Sequence, residues 1–197
     1  MKRTLLIILI LPALAVAQES RQFITKGLFA CKGTLAAGKT TGFKATNMYI
    51  SGNLEYYLED NISFRGGLYI FLGSSGSSHP FSKNSTCFTG FCYHVRTHGH
   101  LDPYLGLEPG ISWTQLKRPA NPASEPYPYN LSQYPQSASP VASVTAGINY
   151  YAANWTHLFI EVKYVHGVHT SDIPAVSLDE FRFAFGFGFN INTIKPK

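Results

Sequence analysis

The chain has 197 residues, with 16 Lys and Arg against 11 Asp and Glu, 45% hydrophobic, 14% aromatic and only 14% charged. A soluble domain carries about a quarter charged residues, so this deficit, alongside 14 Phe and 12 Tyr, excludes intrinsic disorder and argues that much of the surface does not face water. A mean hydropathy of -0.03, with no run after residue 17 near the ~18 apolar residues a spanning helix needs, excludes a bundle of membrane helices.

The chain opens on a targeting signal. Lys2 and Arg3 form a positive start, Thr4 to Leu14 is apolar but too short to span, and Ala15-Val16-Ala17 supplies the small residues a signal peptidase cuts after. Residues 1–17 are therefore predicted to be removed, leaving one domain over 18–197. With Lys2 and Arg3 removed, the 16 basic residues fall to 14 against 11 acidic, a surplus too small and too dispersed for a nucleic-acid partner.

From there the period is two, the period of strands. In chain order, strands are predicted near 22–32, 43–58, 62–73, 87–96, 102–115, 141–151, 156–168 and 179–191. The first sets Phe23, Gly27 and Phe29 opposite Lys26; the second sets Met48, Ile50, Leu54 and Tyr56 opposite Tyr49, Ser51, Asn53 and Glu55. In the fifth, Leu105, Leu107, Pro109, Ile111 and Trp113 alternate with Tyr104, Gly106, Glu108, Gly110 and Ser112. The last is the clearest: Phe181, Phe183, Phe185, Phe187 and Phe189 alternate with Arg182, Ala184, Gly186, Gly188 and Asn190. A soluble sandwich would set Thr, Lys or Glu opposite such a ladder, to meet water. Small and charged residues there suit a crowded lumen, with Phe turned to lipid.

Connections alternate in length. Glu59-Asp60-Asn61, the region His98–Leu101 and Ala152–Trp155 are of turn length, whereas 33–42, 74–86, 116–140 and 169–178 are longer. Residues 116–140 hold six Pro and residues 73–78 read Gly-Ser-Ser-Gly-Ser-Ser, neither of which pairs as a regular strand. The pattern predicts an all-β fold: an eight-stranded antiparallel transmembrane up-and-down barrel with long extracellular loops near 74–86 and 116–140 and both termini periplasmic.

The signal peptide, the eight alternating strands, the Pro103–Leu107 step and the Phe-rich final strand together resemble the small outer-membrane β-barrel superfamily of OmpX-like and OmpA-like barrels. The resemblance spans nearly all of the chain after residue 17. It implies a Gram-negative outer membrane, contact with outer-membrane lipid and lipopolysaccharide, and a protein or polysaccharide partner at the extracellular loops. Members commonly end on an aromatic residue, whereas here Phe189 is followed by Asn190 to Lys197.

By parity the lumen takes Lys26, Arg65, Lys163 and Arg182 against Glu55, Glu108 and Glu161. An eight-stranded barrel is only just wide enough for side chains, so these charges must pair. A filled, salt-bridged lumen is expected, with a narrow channel as the alternative. Cys87 and Cys92 sit five apart, on opposite faces of a regular strand; a disulfide between them requires a bulge or loop in residues 88–91. His94, His98 and His100 lie close together without a Cys pair at ligand spacing, so no metal is expected, and no motif calls for a cofactor.

One stretch carries the residue types of nucleophilic catalysis. His169 and Ser171 share a face near a strand end, followed by Asp172, Asp179 and Glu180. His-x-Ser with a following acid is similar to the lipid A deacylases, on which resemblance Ser171 is the nucleophile, His169 the base and Glu180 the orienter. That family places Asn after its Ser, where this chain has Asp172. The leading expectation is a non-enzymatic barrel, with a lipid A-modifying hydrolase as the alternative.

Overall fold

A computed structural model describes residues 23–76, 80–97, 99–117, 134–170 and 176–194. The strands are β1 (Leu28–Thr40), β2 (Thr46–Glu59), β3 (Ile62–Ser75), β4 (Phe81–His94), β5 (Leu101–Leu116), β6 (Ser137–Ala153), β7 (Thr156–His169), a two-residue β8 (Val176–Ser177) and β9 (Glu180–Asn192). Neighbours pair antiparallel in the order β6-β5-β4-β3-β2-β1-β9-β7, and β6 pairs with β7, so eight strands close into a barrel. β8 stands outside that ring as a short partner of β7 beyond its last turn.

The barrel strands run 13 to 17 residues, beyond the 9 to 11 that a tilted strand needs to cross hydrocarbon. Alternation sends Leu54, Phe64, Leu68, Phe91, Leu105, Leu107, Val144, Ile160, Phe185 and Phe187 onto the outer wall, all exposed. A continuous surface of this kind has no place in water.

Four strand boundaries differ from those expected. Strand one is not 22–32 but Leu28–Thr40, and 33–42 is mostly strand. Its second half, Gly33-Thr34-Leu35-Ala36-Ala37-Gly38, is poor in large apolar residues and so hides its period, yet it pairs with both β2 and β9. Gly27, at φ 83, turns the preceding residues back across the mouth, where Phe23 and Ile24 pack against Leu28, Ala30, Tyr57 and Tyr151. Phe23 stacks on Tyr151 at 5.5 Å and 12°.

β4 begins at Phe81, six residues before the expected start, because polar Ser82–Ser85 pair with the end of β5 above the apolar wall. Its far end is His94, so the turn to β5 spans 95–100. β6 begins at Ser137 and carries Pro140 within its register, opposite Ile111. The connections expected at 33–42 and 74–86 thereby shrink to 41–45 and 76–80, and 116–140 to 117–136. One rim holds both ends of the described chain and the strand ends that join β2 to β3, β4 to β5 and β6 to β7; the other, the loop rim, holds the strand ends that join β1 to β2, β3 to β4, β5 to β6 and β7 to β9. Beneath this loop rim, Phe81, Leu116, Tyr134, Val141, Val165 and Leu178 form an apolar cluster with Phe71 and Val176. Apolar groups thus pack at both ends of the lumen.

Candidate functional site: the charged lumen

Between the two caps, every strand contributes polar groups. Near the short-turn rim Asp102, second residue of β5, is the hub. Asn149 Nδ2 donates to its Oδ2 at 2.7 Å, Tyr57 at 3.3 Å, and His94 Nδ1 lies 2.8 Å from Oδ1. The other His94 nitrogen, Nε2, lies 2.9 Å from Ser63 Oγ and 3.2 Å from Glu55 Oε1.

The middle of the lumen is built on Arg65. Its guanidinium reaches Glu55 at 3.0 Å and Glu161 at 2.8 Å, and stacks 4.5 Å from the Tyr104 ring centroid. Tyr104 and Tyr69 donate to the Glu161 carboxylate at 2.7 and 3.2 Å. Lys163 donates to Glu108 at 2.7 Å, and Thr145 takes the other Glu108 oxygen at 2.8 Å. Towards the loop rim, Glu180 receives Asn47, Tyr49 and Arg182 at 2.7, 2.7 and 2.8 Å. Gly38 makes this possible, since a Cβ there would strike the Glu180 carboxylate.

The residues expected in the lumen separate into two groups. Glu55, Arg65, Glu108, Glu161, Lys163 and Arg182 are buried there, at most 2% exposed. Lys26 is not: it precedes β1, is exposed, and pairs with Glu59 at 2.8 Å outside the barrel. That hydrogen bond and the Glu59 charge raise its pKa above the ordinary lysine value. The lumenal lysine of β1 is Lys32, six residues on with the same parity, 3.5 Å from Glu55 and 4.6 Å from the Tyr104 ring centroid. Sequence reasoning also missed Asp102 and His94 as lumen groups. Parity with Tyr104 and Glu108 carries the signal for Asp102, and parity with Cys92 carries it for His94. Among the described residues five lumen carboxylates (Glu55, Asp102, Glu108, Glu161, Glu180) face four basic side chains (Lys32, Arg65, Lys163, Arg182), and His94 sits between two of the acids.

Cys87 lies exposed on the wall and Cys92 buried in the lumen, with unshifted β4–β5 register from one to the other. The bulge a Cys87–Cys92 disulfide requires is absent, and both thiols are free, as is Cys31. Among the described residues no group of three His, Cys, Asp or Glu is arranged to hold a metal.

For the hydrolase alternative, Ser171 and Asp172 lie outside the described residues. His169 is 1% exposed and its Nδ1 bonds Thr114 Oγ1 at 2.6 Å, while Glu180 is engaged with Asn47, Tyr49 and Arg182. Glu180 therefore does not orient His169. A different serine, Ser63, has the spacing of a nucleophile to His94 and Asp102. Its hydroxyl, however, donates to Glu55 at 2.6 Å, and all three side chains are fully buried, so no substrate reaches them.

No protein-family model matches the chain, and no curated protein does. Solved structures do match. The N-terminal β-barrel domain of Pseudomonas aeruginosa OprF is similar at TM-score 0.60 and 15% identity, over 84% of this chain and 98% of that one. Neisserial surface protein A is similar at TM-score 0.58 and 14% identity, over 85% and 97%. Ail of Yersinia pestis is similar at TM-score 0.53 and 11% identity, over 85% and 100%. The likeness is one of backbone fold, and with its eight antiparallel strands closed into a barrel the chain has the fold of the small outer-membrane β-barrels.

Proposed function

We propose that the chain is an outer-membrane barrel whose lumen is a closed structural core and whose contacts with ligands or partners lie at its outer loops and rim. The observation that carries this reading is the pairing of an apolar wall around the barrel with a charge-paired interior that has apolar clusters at both ends. The wall asks for hydrocarbon, since Phe185 is 75% exposed and Ile160 68%. Between the apolar ends the lumen is crowded with paired charged and polar side chains, which favours a structural or binding role over a narrow channel. The bonds of His169 and Glu180 to other groups favour it over a lipid A hydrolase.

On this reading residues 1–17 are removed on export and the short-turn rim, with both termini, faces the periplasm. The loop rim then faces outward, towards lipopolysaccharide and any protein or polysaccharide partner. An epitope inserted at Ser124 and probed on whole cells tests it. Labelling of intact cells is expected; labelling only after permeabilisation inverts the barrel, and recovery of the protein outside the outer-membrane fraction overturns the reading. Single-channel conductance and lipid A mass spectrometry with and without the protein test the two alternatives.

A further inference from the structure

Among the described residues, charges outside the lumen are distributed unequally between the two rims. At the short-turn rim, two described cations are matched by two acids: Lys26 with Glu59 at 2.8 Å and Arg96 with Asp60 at 3.7 Å. At the loop rim the described residues include exposed Lys39, Lys44, Lys83 and Lys117, while the acids there are already engaged. Asp179 holds His166 at 2.8 Å and the backbone N–H of Gly167, and Glu180 is turned into the lumen. Lys39, Lys44 and Lys83 form no ion pair among the described residues.

Position sharpens this asymmetry. Lys39 alternates with lumen residues Ala36 and Gly38, so it points outward from the wall at the loop end of β1, in register with Phe181, which pairs in turn with Tyr164. Tyr164 and Phe181 have ring centroids 4.8 Å apart. Lys83 points outward at the loop end of β4, two residues beyond Ser85, the register partner of Trp113. Lys39 therefore stands just beyond an aromatic pair and Lys83 just beyond Trp113, the place where amphipathic rings mark the boundary between hydrocarbon and headgroups. A lysine there lays its stem on apolar wall and lifts its ammonium to headgroup depth. Lys44 lies on the connection that follows Lys39. Three strand spacings separate β1 from β4, about 14 Å around the wall, so the two sites meet different phosphate groups.

We propose that Lys39 and Lys83, with Lys44 beside the first, bind the phosphate groups of the outer-leaflet glycolipid and fix the barrel's outer rim in that leaflet. This rests on the outer-membrane reading above and names the lipid chemistry the rim takes. Ammonium groups recognise phosphate as point charges, and basic residues near an anionic surface add to one another, so the contribution of several lysines is cumulative.

The test compares the parent with the triple variant Lys39→Gln, Lys44→Gln, Lys83→Gln, using Lys26→Gln as the control at the other rim. Each is titrated in detergent micelles with bisphosphorylated lipid A, and with the same lipid A after removal of its phosphates. The half-saturating concentration of the phosphorylated lipid is expected to rise about tenfold or more in the triple variant and to stay unchanged in the control. Dephosphorylated lipid A is expected to bind parent and triple variant equally weakly, and millimolar inorganic phosphate to leave the glycolipid bound. Heat-modifiable gel mobility confirms that the variants fold, as these side chains are exposed. Equal binding of phosphorylated lipid by parent and triple variant overturns the proposal, as does parent binding that survives phosphate removal. Cell fractionation reads the membrane assignment separately, so failure of one does not pass for failure of the other.

Discussion

The two faces of β9 differ as sharply as two proteins. Outward stand Phe181, Phe183, Phe185, Phe187 and Phe189, all at least 43% exposed; inward, on the intervening residues, stand Glu180, Arg182, Ala184 and Asn190, all at most 6% exposed. In a water-soluble protein the first set would be buried and the second solvated. Here the exterior carries no charge along the strand's length, and the interior is held by ionic and hydrogen-bonded contacts. The difference shows that burial and apolarity are separate variables: the backbone alternation fixes only which residues share a face, and the surrounding solvent decides which face is inside. It also shows where specificity resides. Wall residues need only be apolar, but lumen residues must match one another group by group.

The strongest way to break that comparison is to remove one lumen partner. Arg65→Met takes away the cation that Glu55 and Glu161 share at 3.0 and 2.8 Å, leaving both carboxylates buried with weaker compensation. Leaving a buried charge uncompensated costs about 3–5 kcal/mol. The loss is expected in the urea-unfolding midpoint of the barrel refolded in lipid vesicles. Unchanged stability would show that the lumen charges reach water in the folded barrel.

Next in size is a charge placed on the wall. Phe185→Arg is expected to cost about 2–4 kcal/mol near the bilayer midplane, read by the same unfolding measurement. If the wall faced water, replacing a Phe that is 75% exposed by Arg would be neutral or favourable, so the sign alone decides the matter. The neighbouring Gly186 gives the other face of the comparison: a Cβ there already meets Thr34 Oγ1 at 3.0 Å and the Phe159 ring at 3.3 Å, so Arg at that position fails by crowding.

Legibility in the sequence followed this same division. β9 and β5 were readable because apolar residues occupy every second position without a break, and β2 because Met48, Ile50, Leu54 and Tyr56 keep the period across Gly52. The second half of β1 was not, since Gly33, Thr34, Ala36, Ala37 and Gly38 carry almost no contrast between faces, and its assignment depends on pairing with β2 and β9. The start of β4 was hidden for a related reason: above the apolar wall, both faces of Ser82–Ser85 are polar. In the site, parity found six lumen charges but could not say which strand end leaves the barrel, so Lys26 was taken for a lumen group and Lys32 was missed. His94 and Asp102 were obscured by their closeness to a turn. That each bonds the other, at 2.8 Å, is a fact of β4–β5 register, which a single sequence does not encode.

The smallest expected effect comes from two ion pairs of nearly the same length. Lys26–Glu59 spans 2.8 Å and Lys163–Glu108 spans 2.7 Å, but the side chains of the first are 58% and 60% exposed and those of the second 1% and 0%. In water the exposed pair gains little, because solvation of the separated ions nearly equals their attraction and salt screens the rest. Lys26→Gln is therefore expected to leave the unfolding midpoint unchanged at neutral pH. The direction of its titration agrees. Glu59 raises the Lys26 pKa above the ordinary lysine value, so any contribution is complete below the unfolded lysine's pKa and fades as pH rises through the folded value. Lys163→Gln, by contrast, leaves Glu108 in the lumen with Thr145 at 2.8 Å and only the more distant Arg65 at 3.9 Å for a cation, and should lower the midpoint, though by less than Arg65→Met. Equal effects from the two substitutions would mean that the lumen is as wet as the rim, and that distance rather than enclosure sets the strength of these pairs.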